Sequence, residues 1–228
     1  MVEMIEFEWA RCRDGYAVNT SPRKRLRART PQRVVTKPRR MVEGASTGLV
    51  AASNNFELYS PTKFPELFQL FADAEPTADG MIGFANSFGL LGGIVDWGAV
   101  GPSRVMSQSL DDVLAHHHRL RAAVSDQAVL ECASDFGWAR LGVKLVRQQN
   151  GKIAIALVPS SLILFLWVQL ALFAGSDAQL FRCQQCGHPF SVGRESARRR
   201  SKKAKYCSNA CRLAAFRARH ASQARQGT

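Results

Sequence analysis

Apolar residues recur at helical spacing over residues 65–74 (PELFQLFADA) and 81–91 (MIGFANSFGLL), and the second run stops at Gly92-Gly93, a helix-ending pair. A longer helix is expected over residues 109–130, with Ser109 as N-cap and Asp111 and Asp112 in the first turn, where carboxylates meet the positive end of the helix dipole. His116, His117 and His118 fall inside it. Consecutive helical positions point in different directions, so these histidines read as a solvated face and not as a three-His metal site. Strand alternation is clearest over residues 142–158, where GVKLVRQ and KIAIALV flank Asn150-Gly151, a dipeptide suited to the positive φ values of a tight hairpin turn. Pro159-Ser160-Ser161 then opens LILFLWVQLALFAG, apolar on nearly every face. Counted from Ile153 the run approaches the length of a bilayer span, but the Pro-Ser-Ser break leaves a helix too short to cross easily, so no membrane partner is expected and the helix belongs at the centre of the body.

These elements predict an α+β protein, mainly α. A helical body domain with one β-hairpin (residues 42–178) carries a small treble-clef-like finger (residues 179–222) and a disordered tail (residues 223–228). Residues 1–41 form a basic segment expected to be disordered, because SPRKRLRARTPQRVVTKPRR holds three prolines and little apolar periodicity. It reads equally as a second nucleic-acid arm or as sequence upstream of a start at Met41.

A chain of 228 residues is long enough for one substantial core plus a small module. Its net charge of +13 sits at two ends. Residues 11–40 carry +10 and residues 182–228 carry +11, while the remainder carries −8. An acidic body with basic ends points to a polyanionic partner. The first ten residues, MVEMIEFEWA, are acidic and no apolar signal core follows, so a cytoplasmic protein is expected.

The sharpest chemical signal is Cys183-Gln184-Gln185-Cys186-Gly187, followed by Cys207-Ser208-Asn209-Ala210-Cys211. Two short Cys turns can each supply two thiolates to a tetrahedral Zn²⁺, and the metal joins the pairs. Gly187 permits the positive φ of a tight knuckle, and Phe181 and Phe190 read as strand anchors on either side of it. Ser208 is placed to cap a helix over residues 210–219, which sets Cys211 one turn after Cys207. One structural zinc on Cys183, Cys186, Cys207 and Cys211 is therefore expected, in preference to two disulfides or a redox C-x-x-C. Cys12 and Cys132 are read as non-ligands, and His188 and His220 as bystanders to a shell that four cysteines complete.

Arg198, Arg199, Arg200, Lys202, Lys203 and Lys205 precede Cys207, and Arg212, Arg217 and Arg219 follow it on the helix. Such a surface neutralises phosphates with salt-sensitive affinity, and Asn209, Arg212 and Arg219 are candidates for base contacts. Leu213 and Phe216 are expected to pack the helix onto the hairpin. Duplex DNA is the expected partner. RNA, or a protein bound through the finger, are the alternatives, and a homodimer is compatible with the sequence. No catalytic grouping and no phosphate-binding glycine loop emerges, and a closed shell of four cysteines leaves no position for a reactive water, so no enzymatic activity is expected.

The run Phe181-Arg-Cys-Gln-Gln-Cys-Gly-His-Pro-Phe190, a basic linker, and Tyr206-Cys-Ser-Asn-Ala-Cys-Arg212 before an Ala/Arg-rich helix resemble the CGNR-type zinc finger of bacterial proteins. Proteins of that family carry an amino-terminal ABATE domain and are described as stress-induced transcription regulators. The resemblance implies metal binding at Cys183, Cys186, Cys207 and Cys211, an ABATE-like helical body, and regulation of transcription. After the last Cys pair the family has Cys-Gly-Asn-Arg, where this chain has Cys211-Arg212-Leu213-Ala214.

Overall fold

In a computed structural model the chain is described at residues 4–5, 7–19, 47–92, 107–126, 141–147, 151, 153–193, 201 and 203–226. The expected hairpin is present. Strand β7 (Gly142–Arg147) runs antiparallel to β8 (Ile153–Val158) with Arg147 opposite Ile153, and Gly151 takes φ +81° between them. On its inner face Ala154 and Ala156 are buried, while Val143, Leu145, Ile153 and Ile155 remain exposed on the other.

A mainly helical architecture does not describe the body. Among the described residues, strands from both ends and the middle of the chain form four small sheets. Strand β1 (Met4–Ile5) lies parallel to β8, β2 (Trp9–Cys12) pairs antiparallel with β5 (Phe56–Tyr59), and β3 (Tyr16–Asn19) with β4 (Gly48–Ala51), which in turn takes β6 (Ser107–Ser109). Most of these strands are four residues or shorter, with partners far along the chain: Trp9 faces Tyr59 and Met4 faces Ala156. Neither a local turn signal nor a long alternation marks them.

The expected disorder of residues 1–41 therefore fails for their first part. Phe7, Trp9, Cys12 and Tyr16 are core residues, and the Trp9 indole N–H donates to the Leu90 carbonyl at 2.9 Å. A chain starting at Met41 would lack all four. Residues 20–46 lie outside the described residues.

The helices follow the apolar pattern with shifted ends. Helix α1 spans Leu67–Asp73, and α2 spans Ala78–Phe88. Helix α2 begins three residues before the expected Met81, because Thr77 caps it by accepting from the Gly80 amide at 3.2 Å. Helix α3 (Leu110–Asp126) puts Val113, His117, Leu120 and Ala123 on its buried face. The solvated reading of the histidine run thus holds for His118 but not for His117, which is fully buried.

Helix α4 (Leu162–Ala174) occupies the centre, with every residue from Leu162 to Leu170 buried and Ser161 capping it by accepting from the Leu164 amide at 3.3 Å. Among the described residues no helix is long and apolar enough to cross a membrane. Phe165 stacks on Phe7 at 5.0 Å, so the most amino-terminal part of the core sits on the central helix. The one buried polar side chain of α4, Gln169, has both amide ends engaged: its Nε2 donates to the Phe64 carbonyl at 2.8 Å and its Oε1 accepts from the Phe68 amide at 3.3 Å. Those bonds fix the entry to α1.

Candidate metal centre and its basic groove

Strand β9 (Gln179–Arg182) pairs antiparallel with β10 (Pro189–Val192), placing Phe181 opposite Phe190. Phe190 is the buried anchor, whereas Phe181 faces outward at 38% exposure. Between the strands the chain makes a knuckle, in which the Cys183 amide donates to the His188 carbonyl at 3.0 Å and the Gly187 amide to the Cys183 carbonyl at 2.9 Å. Gly187 closes it at φ +72°, a conformation that costs a residue with a Cβ about 1 kcal/mol or more. The Gln184 amide donates to the Lys205 carbonyl at 3.0 Å, which draws the second Cys segment against the knuckle.

That segment leads into helix α5 (Asn209–Gln226), which is longer than expected and runs through residues 223–226, read from sequence as tail. Ser208 caps it: its Oγ accepts from the Cys211 amide at 3.1 Å. The four Sγ atoms of Cys183, Cys186, Cys207 and Cys211 lie within 4.8 Å of one another. Cys186 to Cys207 and Cys207 to Cys211 measure 3.5 Å, and Cys211 to Cys186 3.7 Å. A disulfide requires about 2.05 Å. A tetrahedral tetrathiolate with metal–sulfur bonds of about 2.3 Å has sulfur–sulfur edges of about 3.8 Å, so the four can hold one metal ion.

Thiol acidity leads to the same chemistry. Burial opposes the Cys183 thiolate, but backbone amides of Cys207, Cys186 and Gln185 outweigh it and bring the thiol down to about 6. Cys207 is pushed up to about 12 by burial and by the neighbouring Cys211, Cys186 and Cys183 sulfurs. One thiolate forms readily and then opposes the others, and a central cation is what relieves that opposition. His188 and His220 take no part: the His188 Nδ1 lies 3.5 Å from the Cys186 carbonyl oxygen, and the His220 ring packs on Phe216 at 4.2 Å. Cys12 is buried near Ser53, and Cys132 lies outside the described residues.

Beside the Cys cluster is an open groove of about 730 Å³, lined by Lys203, Ala204, Lys205, Tyr206, Ser208, Asn209 and Arg212. It brings together four of the basic and polar residues expected from the sequence, and among the described residues no acidic side chain lies on its wall. Tyr206 and Ser208 were not expected there; a position flanking a metal ligand between two basic runs is the signal that could have found them. Arg217 and Arg219 lie farther along α5, outside the groove. Arg198, Arg199, Arg200 and Lys202 fall outside the described residues.

Leu213 and Phe216 do not pack the helix onto the hairpin. They are 44% and 52% exposed, and only Cys211 and Ala215 on this helix are half-buried among the described side chains. Among the described residues the small core beneath the cluster is Cys183, Phe190 and Val192, covered by Ala204, Tyr206, Cys207 and Cys211, so α5 joins it through its first turn. Nor does the finger stand apart from the body. Glu66, immediately before α1, accepts from the Ser191 amide at 2.9 Å and from its hydroxyl at 2.7 Å, and Arg182 pairs with Asp73 at 2.7 Å.

Comparison of the chain with protein-family models, with curated proteins and with solved structures gives no match.

Proposed function

We propose that the four cysteines hold one structural zinc ion and that the finger so stabilised binds duplex DNA, as part of a transcription regulator of the CGNR type. The observation that carries this reading is the groove in which Lys203, Lys205, Asn209 and Arg212 converge beside the four thiols. Zinc suits four Cys ligands in a tetrahedron, and a site of that kind is closed and structural. The ion, when bound, supplies the cross-link between knuckle and helix, and the three described residues buried in the finger's own core are too few to hold it without such a link. Lys203, Lys205 and Arg212 then stand where a phosphate backbone can lie against the start of α5, whose dipole adds positive potential.

RNA is the second reading, favoured by one observation: Tyr206 lines the same groove, where a base could stack on it. Selection from mixed random duplex DNA and structured RNA by the zinc-loaded full chain, at near-physiological salt, decides between them. Enrichment of a duplex motif supports the DNA reading; enrichment of RNA moves the finger to the second, and enrichment of neither moves it to protein interaction. The metal is tested by Cys186→Ser. The expected result is loss of one zinc per chain and of nucleic-acid binding, with the body still folded. Retained zinc with unchanged affinity defeats the proposal, as does a visible iron–thiolate absorption in the native protein.

A further inference from the structure

Helix α5 displays a stripe that the charge pattern alone does not explain. Positions 209, 213, 216 and 220 are spaced i, i+4, i+7 and i+11, so Asn209, Leu213, Phe216 and His220 share one face. All four are exposed, and by helical spacing this face is turned away from the half-buried Cys211 and Ala215. Arg212 and Arg219 flank the stripe on one side and Arg217 on the other, by the same helical spacing. The helix contains no Asp or Glu. Leu213 and Phe216 are therefore outward apolar groups framed by cations, on the helix whose Asn209 and Arg212 line the groove.

A second copy of this chain is a poor occupant of such a face. Two copies packed stripe to stripe would bring arginines against arginines, with no acidic residue on either helix to pair them. The matching surface is apolar at its centre and anionic at its edges. The major groove of duplex DNA has that form: it admits an α-helix between two phosphate walls, and its thymine C5-methyl groups are the apolar features on its floor.

We propose that Leu213 and Phe216 are specificity-determining residues that read thymine methyl groups in the major groove, with Arg212, Arg217 and Arg219 on the flanking phosphates. This inference rests on the duplex-DNA reading of the finger. Neither side chain belongs to the finger's small core, so their removal leaves the metal site standing.

The test uses the zinc-loaded full chain and the duplex it selects. Replacing thymines one at a time by deoxyuridine removes a single methyl group and leaves base pairing intact. For one or two thymines the native protein should lose about fourfold in affinity, the order of one apolar carbon returned to water. Phe216→Ala and Leu213→Ala should each weaken binding to the thymine duplex, retain full zinc content and an unchanged salt slope, and become indifferent to the uracil substitution at one position. Tight duplex binding by the native protein with no effect of uracil at any position overturns the inference and leaves the DNA reading in place. Absence of any duplex binding overturns both. A change in the sedimentation of the free protein on Phe216→Ala also overturns the inference, since the stripe would then cover a second copy.

Discussion

Gly92 is held against the indole of Trp9. A Cβ at this position would lie 2.8 Å from Trp9 Cη2 and 3.2 Å from Ser161 Cβ, and the backbone there has φ +78°. The indole cannot withdraw, because it is buried and its N–H is bonded to the Leu90 carbonyl. Gly92→Ala should therefore cost about 2–4 kcal/mol, combining left-handed strain with overpacking. For a protein of this size that is a fall of roughly 5–15 °C in melting temperature by calorimetry. His117 makes the body sensitive to acid in a similar way. Burial lowers its affinity for a proton, and among the described residues its Nδ1 has no partner while Nε2 lies 2.9 Å from the Ala74 carbonyl oxygen. The nearby His118 and Arg121 charges act in the same direction as burial. The unfolded chain binds a proton near pH 6.5 and the folded chain only at lower pH, so stability is full above that value and declines as pH falls below it. His117→Gln, which can still donate to Ala74 but does not titrate, should flatten the fall of denaturant-measured stability as pH drops below about 6.5. An unchanged slope would assign the acid sensitivity to other groups.

At the scale of elements, the β7/β8 hairpin and helix α4 were legible because their signals are local: Asn150-Gly151 joins adjacent runs, and Ser161 caps an unbroken apolar stretch. The Cys cluster was legible for the same reason, since Gly187 and Ser208 sit beside the ligands they position. Strands β1 to β6 were not. Each depends on a distant partner that no neighbouring turn announces, and the basic stretch after Asn19 concealed the apolar residues before it. His117 was misread because three histidines in succession look polar, although position 117 falls with Val113 and Leu120 on the buried stripe. Leu213 and Phe216 were misread in the opposite direction: apolar spacing signals a face, and only the structure shows which way that face points. Two substitutions measure these assignments. Removing residues 1–19 should abolish the cooperative melting of the body, since Phe7, Trp9, Cys12 and Tyr16 leave its core with them. Leu145→Lys, on a residue 70% exposed, should change stability by no more than about 0.5 kcal/mol in urea denaturation. A larger loss would place a contact on that hairpin face.

For the whole molecule the question is how firmly the metal finger is tied to the body. All four residues of β10 are buried, yet the finger's own core covers only Phe190 and Val192. Ser191 lies on the opposite face, and it is Glu66 of the body that satisfies both its amide and its hydroxyl. The Arg182–Asp73 pair is a second polar tie among the described residues, but Arg182 is 61% exposed, and such a pair is worth about 0–1 kcal/mol. Glu66→Ala leaves two buried donors without an acceptor at about 1–3 kcal/mol, so Glu66 should dominate. The consequence is kinetic as well as thermodynamic. If docking helps keep the knuckle closed, Glu66→Ala should release zinc to a chelating dye roughly tenfold faster, the equivalent of about 1.4 kcal/mol, while Asp73→Asn releases it at nearly the native rate. Trp9 and Trp167 are buried in the body's core and no tryptophan lies within residues 179–222, so tryptophan fluorescence should show an unchanged melt of the body in both variants. Native-rate release from Glu66→Ala would mean that the metal centre holds itself together and that its contact with the body only sets where the groove points.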